Sequence, residues 1–312
     1  MSSRPARLLD RYAGTDNLER AQVVAESAAA PAGGRRRAGE VAPGLSVAVL
    51  TLDRPDLIIP LIERLSGAAA AFAEHGLGFE LLIGDTGSTD PAVLAAYADL
   101  AQPAAGGVGG IRVVRDLDYH FSRCNNAVLA AAAEHELFML LNNDVILPGP
   151  EALLGMVRCF DDPTLGVIGL ALDFPDGSVQ HRRVEFIEGG NHHLMPYHAG
   201  AGEPSIHAVG TEAPAIAVTG AALMIRAELW RSLGGLDEEY ASECQDIDLC
   251  LAVRRLGRRV ASYDAGPIVH LENATRPRGD VSASDRRLWL RRWQGFLESD
   301  LVWVPERLAA AR

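Results

Sequence analysis

Little in this chain points to secretion, to a membrane span or to nucleic acid. Cysteines number four in 312 residues (Cys124, Cys159, Cys244 and Cys250). They form no CxxC pairing of the metal-binding kind, so reduced thiols are expected. Positive charge is scarce: 29 basic residues face 41 acidic ones, a net charge of −12. That balance argues against bulk nucleic-acid binding, which needs a basic surface. No apolar run reaches membrane-spanning length, and the N-terminus lacks the apolar segment of a signal peptide, so a cytoplasmic location is expected. No internal repeat is visible. What is present, 48% hydrophobic and 22% charged residues, is ordinary for a soluble globular protein. The length suits one large domain or two small ones.

The chain divides into three stretches. Residues 1–43 read as an appendage, mobile or partly helical over Arg7 to Ala30, broken by Pro31-Ala32-Gly33-Gly34 and a triple-arginine run. From Leu45 apolar strands alternate with helices, and this β-α-β-α order predicts a largely parallel, doubly wound α/β sheet. Strands are expected at 45–50, 79–83, 111–114, 137–141, 166–170, 217–225, 260–263 and 267–270. Helices are expected at 56–75, 91–100, 125–134, 151–160, 227–233 and 246–255. Residues 173–215 hold five of the nine histidines among Gly and Pro and read as a loop-rich insertion. A helical extension follows over 277–312, carrying Trp289, Trp293 and Trp303.

Polar residues collect where strands end. The apolar run Leu137 to Leu141 stops at Asn142-Asn143-Asp144. In an open α/β sheet, ligands sit at the carboxyl ends of strands, and a carboxylate there can hold Mg²⁺ or Mn²⁺. A turn is the simpler use of the same residues. Thr51-Leu52-Asp53-Arg54-Pro55 and Gly84-Asp85-Thr86-Gly87-Ser88-Thr89-Asp90 end two further strands. Capping accounts for Asp90-Pro91 and accounts less well for Asp85. Asp246 and Asp248 open an amphipathic helix. The helix dipole favours acids there, but two residues apart they point differently and do not share a role. One of them suits a general base within reach of a hydroxyl. His270 ends a strand, and a lone histidine is more often structural than a ligand.

Seven such motifs in order, from Thr51 to Arg276, resemble the inverting family-2 glycosyltransferases of the GT-A fold. They include His120-Phe-Ser-Arg-Cys-Asn-Asn, Gly234-Gly-Leu-Asp, Gln245-Asp-Ile-Asp-Leu-Cys-Leu and His270-Leu-Glu-Asn-Ala-Thr-Arg. Phe174-Pro-Asp-Gly-Ser-Val-Gln-His181 and the pair Asn125-Asn126 are similar to rhamnosyltransferase-like and O-antigen-type members. The resemblance implies a GT-A domain over 44–276, with a nucleotide-binding half over 44–145 and an acceptor half over 146–276. It implies that Thr51, Asp53, Arg54, Asp85, Arg123, Asn126 and Asn143 serve a nucleotide-diphosphate sugar linked to dTDP, UDP or GDP. Asp144 and His270 would hold Mn²⁺ or Mg²⁺, which reverses the structural reading of His270. Asp246 would be the catalytic base, and His181, Asp248 and Glu272 candidates for the acceptor pocket. Asn142 stands where the family's metal motif has its first acid, and Gln245 where relatives carry Glu or Asn.

The expected activity is sugar transfer to an acceptor hydroxyl, hexosyl or deoxyhexosyl, with inversion. A sugar nucleotidyltransferase would need a basic, Gly-rich loop that Thr51 to Pro55 is not. A non-catalytic sugar-binding relative would tolerate joint loss of Asp144 and Asp246, and both are present. The run Arg286-Arg287-Leu288-Trp289-Leu290-Arg291-Arg292-Trp293 could lie on an anionic membrane surface. Packing of its tryptophans on the body or on a second subunit, as in a homodimer, is the favoured reading.

Overall fold

The computed structural model describes residues 22–23, 42–100, 110–187, 193–272 and 282–298. The rest of the N-terminal arm, residues 106–109 of the Gly-rich connector, His192, the segment from Asn273 to Arg276 and Trp303 lie outside the described residues.

The chain runs β1 (Gln22–Val23), β2 (Ala42–Thr51), α1 (Pro55–Ser66), α2 (Ala68–Glu74), β3 (Gly78–Asp85), α3 (Pro91–Leu100), β4 (Ile111–Arg115), α4 (Phe121–Ala130) and β5 (His135–Leu141). It continues through β6 (Val145–Ile146), α5 (Glu151–Cys159), β7 (Leu165–Leu170), β8 (Leu172–Asp173), β9 (Val179–His181), β10 (Val184–Phe186), β11 (Pro196–His198) and β12 (Thr211–Ala215). The last elements are β13 (Ala222–Arg226), α6 (Ala227–Leu233), α7 (Gln245–Arg255), β14 (Arg259–Asp264), β15 (Val269–His270) and α8 (Ser282–Leu297).

A nine-stranded sheet in the order β1-β4-β3-β2-β5-β13-β7-β14-β12 forms the centre. Side chains alternate across it, as the period of two demands. Leu45, Val47, Val49, Leu137, Met139 and Met224 join α1, α2, α3 and α5 in one core. Ala48, Phe138, Leu140, Leu223 and Ile225 join α4, α6, α7 and α8 in the other. Helices therefore cover both faces, as the strand-helix alternation predicts.

The sheet departs from that prediction in direction. The half β4-β3-β2-β5 is parallel, but β13 runs antiparallel to both β5 and β7, and β12 antiparallel to β14. The sheet is mixed, because β13 follows β12 and a loop rather than a crossover helix, and nothing obliges it to run parallel.

Other boundaries shift for local reasons. The single helix expected over 56–75 is two, meeting at Gly67, a poor helix former. α4 begins at Phe121 rather than Asn125, because the His120 imidazole accepts the Arg123 N–H and caps it. Gln22–Val23, in the arm expected to be mobile or partly helical, pairs instead with β4. The described residues of the insertion 173–215 are more ordered than a loop. Buried Asp173 accepts from Arg182 at 2.9 Å and Ser205 at 2.7 Å and faces His207 Nε2 at 2.9 Å, while His207 Nδ1 lies 3.0 Å from Asp264. Among the described residues no helix is long and apolar enough to cross a membrane.

Candidate active site

A second, small sheet in the order β6-β15-β8-β9 sits beyond the carboxyl end of β5. Its strands are two or three residues long, and they gather distant parts of the chain. After β5 the backbone turns at Asn142, whose carbonyl accepts the Val145 N–H at 3.2 Å. The turn reading and the ligand reading are thus compatible. β6 then pairs with β15, opposing Val145 to His270, and the Leu271 N–H bonds the Asp144 carbonyl at 3.1 Å. The side chains meet: His270 Nε2 lies 3.1 Å from Asp144 Oδ1, and Asn142 Nδ2 lies 3.4 Å from the same nitrogen. Both Asp144 and His270 are buried.

Asp246 faces the same space from the first turn of α7. Its Oδ2 accepts the Gly220 N–H at 2.7 Å and its Oδ1 the Ile247 N–H at 2.8 Å. A Cβ on Gly220 would sit 3.3 Å from Asp246 Cβ, so glycine lets the chain pass this close. Asp144, His270, Asp246, Asn142 and Glu272 all line one cavity of about 300 Å³. Four of the predicted site residues are therefore brought together: Asp144, His270, Asp246 and Glu272.

The nucleotide-side candidates cluster at adjacent strand ends outside that cavity. Thr51 opposes Asp85 in the β2–β3 register, and Asn143 Nδ2 reaches Thr51 Oγ1 at 3.2 Å. Asp85 is buried: its Oδ1 accepts the N–H groups of Gly87 (3.0 Å) and Ser88 (2.9 Å), and its Oδ2 the Tyr97 hydroxyl (2.8 Å). Asp53, at φ 41°, clasps the next loop by accepting the N–H groups of Thr89 and Asp90, each at 2.6 Å. The hydrogen bond from Asp90 holds the Asp53 carboxyl below its ordinary value. Arg54 grips Asp56 through two hydrogen bonds, which raise its pKa, and it also feels the charge of Asp144. Arg123, half-buried on α4, contributes its backbone N–H to the His120 cap.

Three candidates are occupied elsewhere. Asn126 bonds Leu236 at both N–H and C=O, each at 2.9 Å, and tethers α4 to the Gly234-Gly235 turn. His181 is fully buried, does not line the cavity and accepts the Thr219 N–H at Nε2 (3.2 Å). Burial pushes its pKa well down. Asp248 faces away from the cavity, as the two-residue offset from Asp246 predicts. It accepts the Tyr240 hydroxyl (2.9 Å) and the Trp293 indole N–H (2.6 Å). Burial raises its pKa to about 6. His193 is exposed beside Glu298.

The C-terminal helix braces this site. Trp289 and Trp293 are buried, Trp289 stacks on Phe186 at 5.5 Å, and Arg255 covers Trp293. Both indoles pack on the body, in line with the favoured reading of this run. At the other end buried Asp285 accepts three N–H groups, from Ala241, Ser242 and Glu243, at 2.7 to 3.1 Å. That loop leads directly into Asp246.

Sequence reasoning missed Gln180, His198, Gly220, Phe121 and the pair Arg286–Glu243, all of which line the cavity. For Gln180 a signal existed, since it belongs to the Phe174–His181 segment.

This fold is shared with known glycosyltransferases. No family model matches the chain. Similar solved structures include a mannosyltransferase from Pyrobaculum calidifontis in complex with GDP-Man and Mn²⁺, and GalNAc-T7 with UDP, GalNAc and Mn²⁺. The first gives a TM-score of 0.51 at 16% identity, covering 94% of this chain and 70% of that one. The second gives 0.60 at 11% identity, over 81% and 49%. The chain has the GT-A fold. Among curated relatives, the uncharacterized protein y4gI of Sinorhizobium fredii is 31% identical over 279 residues, 85% of this chain and 29% of that protein. The O-antigen biosynthesis protein RfbC of Myxococcus xanthus is 30% identical over 261 residues, 81% of this chain and 19% of that protein. The chain thus spans less than a third of either relative's length.

Proposed function

We propose that the protein is an inverting glycosyltransferase of the family-2 type, moving a hexosyl or deoxyhexosyl group from a nucleotide-diphosphate donor to an acceptor hydroxyl. One observation carries this reading: the Asp246 carboxylate and the Asp144–His270 pair open onto the same cavity.

Asp246 is fixed by two backbone N–H groups and keeps lone pairs for the acceptor proton. As it takes that proton, the acceptor oxygen bonds to the anomeric carbon and the bond to the diphosphate oxygen breaks. Asp144 and His270 would hold a divalent cation. A carboxylate oxygen beside an imidazole nitrogen suits Mn²⁺ or Mg²⁺. No group of three or more His, Cys, Asp or Glu that could hold a metal exists among the described residues, so water and donor phosphates would complete the shell, as is usual for Mg²⁺. When bound, such a cation neutralises the departing diphosphate. Arg54, which feels the charge of Asp144, adds positive charge nearby. Thr51, Asp53 and Asp85 shape the nucleoside end.

The similarity to an O-antigen biosynthesis protein and the motif likeness favour a glycan acceptor and place dTDP-, UDP- and GDP-linked sugars first in a donor panel. Asp246→Asn should abolish transfer while leaving nucleotide binding intact; turnover near wild type would sink the assignment. The panel, scored for free nucleoside diphosphate, separates transfer from pyrophosphate-releasing nucleotidyl transfer and from binding without turnover.

A further inference from the structure

Gln180 lies on β9, buried, one strand removed from β15 in the small sheet. Both ends of its side-chain amide are spent on a single residue. Its Nε2 donates to the His270 backbone carbonyl at 3.0 Å, and its Oε1 sits 2.6 Å from His270 Nδ1. A backbone carbonyl can only accept, so the amide nitrogen must face it. The amide oxygen then faces the ring. An amide oxygen also only accepts, so Nδ1 must carry a hydrogen. In a neutral imidazole the other nitrogen, Nε2, then carries the lone pair, with the Asn142 amide nitrogen 3.4 Å away. This Nε2 points at Asp144 Oδ1, 3.1 Å away.

We propose that Gln180 is a positioning residue that locks His270 as the Nδ1–H tautomer, so that its Nε2 lone pair and the Asp144 carboxylate face one cation together. This rests on the reading of Asp144 and His270 as metal ligands. A lone pair and a carboxylate oxygen at this separation repel each other unless a proton, a neighbouring donor or a cation offsets the charge, and a cation would do so for both at once. Outer hydrogen bonds that fix the tautomer of a ligating histidine are a general device of metal sites.

The segment around Gln180 explains how its register is set. Phe174 N–H bonds the Ser178 carbonyl at 2.8 Å, Gly177 takes φ 82°, and Asp176 Oδ1 accepts the Ser178 N–H at 2.9 Å. This tight turn between β8 and β9 fixes which side chain of β9 meets β15. Phe174-Pro-Asp-Gly-Ser-Val-Gln is in this light a turn plus the residue that the turn aims.

The test is the ring itself. Histidine ¹⁵N–¹H long-range correlation spectra would be recorded on metal-free protein at about pH 8.5, well above the ordinary histidine pKa, with His270 assigned by loss in His270→Ala. The expected wild-type signature is Nδ1–H. Gln180→Leu should move His270 toward the Nε2–H form and weaken binding of Mn²⁺ alone about 10- to 100-fold by calorimetry. Gln180→Glu, whose carboxylate still accepts from Nδ1 but no longer donates to the His270 carbonyl, should keep the tautomer and lose less Mn²⁺ affinity than Gln180→Leu. An Nε2–H or doubly protonated ring in the wild type overturns the proposal without any variant. So does an unchanged tautomer in a Gln180→Leu protein of native melting temperature. Wild-type protein that shows Nδ1–H yet binds no Mn²⁺ would support the hold on the ring and count against the metal reading.

Discussion

The indole N–H of Trp293 donates to the carboxylate of Asp248 at 2.6 Å, so the helix that carries Asp246 is tied to the C-terminal helix two residues further on. Asp248 is buried, and burial lifts its pKa to about 6. A folded-state pKa above the unfolded value of 3.8 means that the native protein binds the extra proton between these limits. Stability from this group is therefore lost as pH rises from about 4 through 6. Asp248→Asn keeps an acceptor for both donors and cannot ionise. Its stability relative to wild type should rise by on the order of 3 kcal/mol between pH 4 and 7, measured by urea unfolding. A difference that stays flat with pH would contradict the ionised, buried state.

Asp285 acts on the other flank. It accepts three backbone N–H groups from the loop before α7. Asp285→Ala leaves those donors facing an apolar wall and should cost about 2–3 kcal/mol. Since that loop aims Asp246, turnover should fall about tenfold or more while the Kd for nucleoside diphosphate stays near wild type. Equal losses in both would show a general rather than a directed effect.

Gly235 stands at φ 78°, and a Cβ there would approach Asn126 Oδ1 to 2.3 Å. That oxygen already accepts the Leu236 N–H. Gly235→Ala should lower stability by about 2–3 kcal/mol, read from the thermal midpoint. Gly87, also at positive φ but with open space around it, should tolerate alanine with a smaller loss.

Asn142 places an amide beside His270, where the resembling family has an acid. Asn142→Asp adds a second carboxylate, and affinity for hard cations grows with ligand charge. Mn²⁺ alone should bind about tenfold tighter, and the metal-free variant should melt lower because the introduced carboxylate and Asp144 would repel. Calorimetry and a thermal melt with and without Mn²⁺ check both halves.

Much of the architecture could be read from local pattern. Apolar runs such as Leu137 to Leu141 end in polar residues because the sheet interior ends there, and α6 begins and ends where the pattern breaks. The different directions of the Asp246 and Asp248 side chains follow from helical geometry. What stayed hidden depends on pairing between remote segments. The direction of β13 is not written in Ala222–Arg226. The small sheet rests on strands of two or three residues, too short for any periodicity, and it is this sheet that delivers Gln180 to His270. The indole partner of Asp248 lies on a helix 45 residues away, with no local sign of the match.

The β6–β15 pairing also has a temporal side. Asn142 and His270 are separated by 128 positions, and the ladder beside them spans two residue pairs. Contacts this remote close late, because the loop entropy of the intervening chain must be overcome first. During synthesis the parallel half of the main sheet can condense while the β6–β15 pair is still unmade. A ribosome-stalled chain ending before Val269 should then fold around β2 to β5 with β6 unpaired, so the Asp144–His270 contact would be among the late acquisitions of the growing polypeptide.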